Sequence, residues 1–213
     1  MFSPFFKLFI FFLVNIINVQ SQHNYFRCPY RYESVEESFR ENKIIRDLDL
    51  DETQIYDNIQ FIPLKYPNSD KVTCGAYLTK KATMKEPQVT FDPAGKKKGA
   101  DKKLFTFMMV DPDAPTPRNA TSRSILHWLV VNIKGNNMKT GTTLAKYLPP
   151  APTPNKGAHR YVFLIYRQPK EVASRKTYVT LQERSNFQVT SFAIQNRLSG
   201  PLAGNFFNEA VQN

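Results

Sequence analysis

DPDAPTPRNATSRSILHWLVVNIKG, residues 111–135, alternates two aspartates with two prolines, passes through a polar run and enters an apolar stretch with His127 near its start. Leu126–Ile133 otherwise reads as a strand covered on both faces, and Lys134-Gly135-Asn136-Asn137 ends it. Two further runs have the same character: Leu104–Val110 (LFTFMMV) and Arg160–Arg167 (RYVFLIYR). Around them, Asp57–Leu64 and Thr73–Thr79 read as short strands, and Gln88–Phe91 pairs with Leu104–Val110 as a hairpin across the polar loop Asp92–Lys103. Thr177–Leu181 reads as a fourth strand. Helices are expected over residues 34–43, with Ser34 and Glu37 as a capping box, and over Asn186–Leu198, stopped by Gly200-Pro201. The class is mainly β, with helices at the edges and near the C-terminus.

Strand periodicity gives His127 a face shared with Leu129, Val131 and Ile133, because successive side chains point to opposite sides. His159 enters its strand in phase with Tyr161, Phe163 and Ile165. Asp111 ends its own strand, where Pro112 interrupts the ladder. If the strands are neighbours, Asp111, His127, His159 and Tyr161 converge at strand ends. Imidazole and phenol donors beside a carboxylate suit a phosphate or carboxylate ligand. Two histidines and an aspartate also make a metal triad, but the Asp–His hydrogen bond competes with that use, so no metal or cofactor is expected. A satisfied core histidine is the plainer alternative.

The chain has 213 residues, 41% of them hydrophobic and 22% charged, enough for one domain with a sizeable core. Residues 1–21, MFSPFFKLFIFFLVNIINVQS, read as a secretory signal peptide: Lys7 is the only charge, and Val19 and Ser21 suit a cleavage site. A membrane anchor is the rival, but the apolar run is short and carries Asn15, Asn18 and Gln20. Residues 22–213 would form the mature domain, its formal charge falling from +11 to +10 with the loss of Lys7. In an oxidising compartment Cys28 and Cys74 can form a disulfide stabilising the fold by about 4 kcal/mol; two separate thiols are the alternative. Asn119-Ala120-Thr121 is an N-glycosylation sequon in an exported chain. The basic balance suits phospholipid, sulfated glycans or acidic proteins. Export and the lack of zinc spacing or RNA-binding aromatics argue against nucleic acid.

DPDAP, HWLVVNI beginning sixteen residues after the first aspartate, and GAHRYVFLIYRQ resemble the phosphatidylethanolamine-binding protein family. GTTLAKYLPPAPTP, ERSNFQVTSFAIQNRL and GPLAGNFFN extend the resemblance from about residue 40 to residue 208. It implies a large antiparallel sheet packed with a smaller one, plus peripheral helices. It also implies a pocket for phosphate-bearing head groups formed by Asp111, Pro115, His127, His159 and Tyr161, with Pro112 and Asp113 shaping the loop. A cis bond before one of the prolines fits such a loop. Asp111 beside His127 would favour its charged form, so head-group binding is expected to strengthen on acidification. This chain has Ile125 where relatives often carry a bulky aromatic, and Ala151 where a pocket glycine is common. Asn213 falls before a helical extension that covers the pocket in some relatives.

The function expected is a secreted, non-enzymatic binding protein for phosphatidylethanolamine-type head groups. A protein-interaction role, such as serine protease inhibition, is the alternative. Hydrolysis is disfavoured: there is no nucleophile-elbow string, and Ser122 and Ser124 have no evident partner. The lysines of Lys96–Lys103 form a solvated loop tip or an electrostatic contact with an anionic membrane.

Overall fold

The computed structural model describes residues 28, 32–55, 59–67, 71–91, 102–173 and 176–211. Residues 1–21, where a signal peptide is expected, and most of the lysine-rich connection lie outside the described residues. In chain order, the strands are β1 (Gln60–Phe61), β2 (Leu64–Lys65), β3 (Lys71–Val72), β4 (Ala76–Leu78), β5 (Gln88–Val89), β6 (Leu104–Asp111), β7 (Ile125–Lys134), β8 (Thr142–Ala145), β9 (His159–Gln168) and β10 (Ser199–Glu209). The helices are α1 (Val35–Glu41), α2 (Ile44–Asp47), α3 (Glu52–Ile55), α4 (Lys80–Thr83), α5 (Leu181–Arg184) and α6 (Val189–Gln195).

The three apolar runs form the middle of a seven-stranded sheet ordered β1-β10-β9-β6-β7-β8, with β4 also on β10. β6, β7, β8, β9 and the long β10 pair antiparallel, while the short β1 and β4 join β10 in parallel. Burial on both faces explains the near-continuous apolar sequences. One face packs under the helices through Phe39, Ile44, Ile55, Val162, Leu164 and Phe192. The other meets the smaller sheet β3-β2-β5 through Leu64, Tyr66, Val72, Phe105, Phe163 and Phe207.

Several local expectations change. β5 pairs with β2 in the small sheet, while β6 pairs with β7 and β9; β5 and β6 are therefore not a hairpin. Thr177–Leu181 is not a strand: the Tyr178 N–H reaches the Leu144 carbonyl at 2.8 Å, and Thr180 then caps α5. The helix expected over Asn186–Leu198 is shortened to α6, Val189–Gln195; Asn186, with a left-handed φ of +57°, lies before it and separates it from α5. Gly200-Pro201 begins the fully integrated strand β10 instead of leading out of a helix. β10 lies close under α1: a Cβ on Gly204 would stand 2.6 Å from the Phe39 ring, so only glycine lets helix and strand approach this far. Beside the same helix, at Ser38, Cys28 and Cys74 are joined in a disulfide with their Cα atoms 5.5 Å apart.

Candidate functional site

His127 owes its orientation to a β-bulge. Consecutive β6 residues Met109 and Val110 pair with Trp128 and Leu126, leaving His127 as the extra residue on β7. A bulge re-aims a side chain, and His127 departs from the face expected for it: it meets the Tyr161 ring edge-on at 5.1 Å, on the side of the small sheet. Leu129 and Val131 pack on the helical side. β9 keeps the expected parity, so His159 and Tyr161 stack at 6.4 Å on the same side. Tyr161 thus stands between the two imidazoles.

Asp111, Pro115, His127, His159 and Tyr161 line one cavity of about 390 Å³, joined by Ile125, Leu148, Ala151 and Arg184 among others. Asp111 accepts a hydrogen bond from His159 Nδ1 at 2.8 Å through one oxygen and from the Asp113 N–H at 2.7 Å through the other. That fixes the His159 tautomer when neutral, and it leaves Nε2 buried without an aligned hydrogen-bond partner. Burial pushes the His159 pKa down, but the hydrogen bond and charge of Asp111, then Asp113 and the Pro115 carbonyl, hold it above the ordinary histidine value. The charged ring presents an N–H donor at Nε2. The expected charging of His127 is corrected: burial dominates and lowers its pKa, with Arg184 and His159 adding to that and Asp111 and Leu148 opposing. Its Nδ1–H donates to the Leu148 carbonyl at 2.7 Å.

Tyr161 is fully buried, its hydroxyl receives the Ala151 N–H, and burial followed by the Asp111 and Glu209 charges raises its pKa. Pro115 is exposed at the rim, after a cis Ala114–Pro115 bond, and its carbonyl accepts from the Thr153 hydroxyl at 3.0 Å. The loop-shaping pair faces away from the cavity. Asp113 receives the Arg160 guanidinium at 2.6 and 2.8 Å, and the same arginine reaches Asp47 at 2.7 Å. Arg123 donates to the Pro112 carbonyl at 2.6 Å and to Asp47 at 3.3 Å. The turn is therefore braced against α2. Asn119 is exposed in the loop beyond it.

Arg184 is the residue that the sequence reading missed. Its guanidinium is buried and donates to the Leu126, His127 and Lys146 carbonyls at 3.1, 3.1 and 2.9 Å. Among the described residues no carboxylate is in ion-pair contact with it; burial lowers its pKa, and the charge of Glu183 opposes that from further off. Nothing local marked it: one arginine in the ERSNF stretch looks like any helical surface cation. Ser122 lines the cavity, but among the described residues neither its hydroxyl nor that of Ser124 bonds a histidine. No group of three or more His, Cys, Asp or Glu is placed to hold a metal among the described residues.

Comparison with known proteins adds three likenesses and one family. Residues 67–207 match the family described as phosphatidylethanolamine-binding protein. A 26 kDa secreted antigen of Toxocara canis is 40% identical over 149 residues, covering 68% of this chain and 55% of the antigen. The chain thus spans little more than half of that relative. A Drosophila melanogaster protein named "Putative odorant-binding protein A5" is 30% identical over 179 residues, covering 82% of this chain and 80% of the relative. A crystal structure of a carboxypeptidase Y inhibitor complexed with its cognate proteinase superposes with a TM-score of 0.69 at 28% identity, covering 83% of this chain and 94% of the inhibitor.

Proposed function

The chain belongs to the phosphatidylethanolamine-binding protein family, and from that premise we propose that it is an extracellular, non-enzymatic binding protein for phosphate-bearing head groups. One observation carries the reading: the buried Asp111–His159 pair holds an imidazole whose Nε2 lacks an aligned partner, in the wall of a cavity that Arg184 makes positive. An unsatisfied buried nitrogen costs free energy, and an anionic oxygen supplies the missing acceptor for the charged ring. Asp111 holds the ring in orientation and favours its charge; Arg184 supplies a long-range attraction; Ile125, Ala151 and Tyr161 bound the space. The opening of about 390 Å³ suits a head group rather than two acyl chains. The names of the secreted antigen and the odorant-binding relative support export, as does a disulfide in the fold. Residues 1–21 would then be the cleaved signal, and the exposed Asn119 would be open to glycosylation.

The test is calorimetric titration of residues 22–213 with glycerophosphoethanolamine, whose diester phosphate does not titrate near neutral pH. Wild type gives saturable heat. His159→Ala loses about tenfold or more in affinity, as expected when a charge-assisted hydrogen bond worth about 1.5–3 kcal/mol goes. Equal affinity in the two proteins rejects this site. A second reading, binding to a protease, draws on the structural likeness to a proteinase inhibitor in complex. It predicts inhibition that survives His159→Ala.

A further inference from the structure

Two large apolar side chains stand in solvent where it is least expected, at the mouth of the cavity. Val179 and Leu181 both line the opening, yet they are 74% and 61% exposed. Single exposed apolar residues are ordinary on a protein surface. These two are held there by a built device. Thr180 between them caps α5, its hydroxyl accepting the Glu183 N–H at 3.3 Å. The Glu183 carboxylate returns to the N–H groups of Val179 and Thr180 at 2.9 and 2.8 Å. Such a reciprocal box is rigid, so the pair is a fixed lip and not a frayed end. The chain before it is tied to the sheet by the Tyr178–Leu144 bond.

We propose that this lip is the edge by which the protein docks on a phospholipid bilayer, with the cavity opening onto the head-group layer. The inference rests on the reading of the cavity as a head-group site and names the surface that delivers it. A ligand presented by a membrane must be reached through that interface. A fixed apolar pair at the mouth of a cavity lined by Arg184 has the composition of a shallow interfacial contact. Burying the two side chains among acyl carbons stabilises docking. A protein partner is the other class of occupant, and the proximity of the lip to the cavity favours the bilayer.

The protein contains one tryptophan, Trp128, which is buried, so a second introduced at the lip reports its own surroundings. The experiment uses Val179→Trp with vesicles of phosphatidylcholine and phosphatidylethanolamine, with and without phosphatidylserine. Tyr77→Trp is the control; Tyr77 is 71% exposed on β4, which pairs with β10 across the sheet from β8. The proposal expects a blue-shifted emission and quenching by brominated lipid at position 179, and neither at position 77. It also expects Leu181→Asp to lower vesicle affinity about tenfold, the loss of one buried leucine. No vesicle association, or association with position 179 unshifted, overturns it, as does an equal shift at both positions. Soluble glycerophosphoethanolamine separates the two ideas: lip insertion without soluble binding upholds the docking edge and removes the head-group reading.

Discussion

Asp111 and Asp113 lie two residues apart in one turn, both nearly inaccessible at 3% and 1% exposure, and their surroundings differ in kind. Asp113 meets a guanidinium through both oxygens, and that guanidinium is itself shared with Asp47 and the Asn42 carbonyl. Asp111 meets an imidazole whose far nitrogen lacks an aligned partner. A buried polar network that closes on itself rigidifies a fold, while one left open at a cavity has capacity for a ligand. The two sides of the turn thus differ: one braces the fold, and the other is left open to the ligand proposed above.

The sharpest way to break that division is to remove each carboxylate in turn. Asp113→Ala leaves Arg160 with half its anionic partners in a buried position, and unfolding in urea should show a loss of about 3–5 kcal/mol. Asp111→Ala leaves two N–H groups without acceptors and should cost less, about 1–3 kcal/mol, while head-group affinity collapses. Equal losses of stability would erase the distinction.

The same turn shows what a sequence can and cannot disclose. The strand runs and the convergence of Asp111, His127, His159 and Tyr161 were legible, because burial on both faces and polar residues at strand ends leave direct traces. The family resemblance supplied the two sheets and the head-group chemistry. The bulge at His127 was not legible: period-2 reasoning assigns the wrong face once a strand carries one extra residue. Nor was β10, whose Gly200, Pro201, Gly204 and Asn205 all disfavour strands; the approach of α1 requires Gly204, and Asn205 donates to the Ile62 and Val72 carbonyls. The Asp113–Arg160–Asp47 brace joins residues separated by 47 and 113 positions, a contact that tertiary structure alone creates.

Arg184 sharpens the comparison from the far wall. Like Arg160 it is a buried guanidinium, but among the described residues it bonds carbonyls only, with no carboxylate in contact. Arg184→Met preserves most of the volume and removes the charge. Stability should fall by only about 1–2 kcal/mol, since lost hydrogen bonds are partly offset by relief of a desolvated cation. Affinity for glycerophosphoethanolamine should fall by a comparable factor in calorimetry, and Arg184→Lys should restore part of it. An unchanged affinity would make Arg184 a clip between β7 and the segment after β8, without a part in binding.

The smallest effect is the most diagnostic, because a single proton links the two properties. His159 has a folded-state pKa above its unfolded value of about 6.5. Its contribution to stability is therefore complete below about pH 6.5 and is lost as pH rises through the folded value. Anion binding favours the same charged ring, so affinity should climb as pH falls toward the folded-state value, by about tenfold for each unit that the ligand raises the pKa. His127, whose pKa is lowered, adds no step there. The rise should stop on acidification once the free protein is itself protonated, and that pH should coincide with the one above which stability stops falling. Calorimetry and urea unfolding across the same buffers measure both bends. Asp111→Asn removes the charge that holds the proton, so the affinity rise should move to lower pH and the stability slope should flatten with it. Two bends at different pH values, or an affinity rise indifferent to Asp111→Asn, would mean that the titrating group is not the one Asp111 holds.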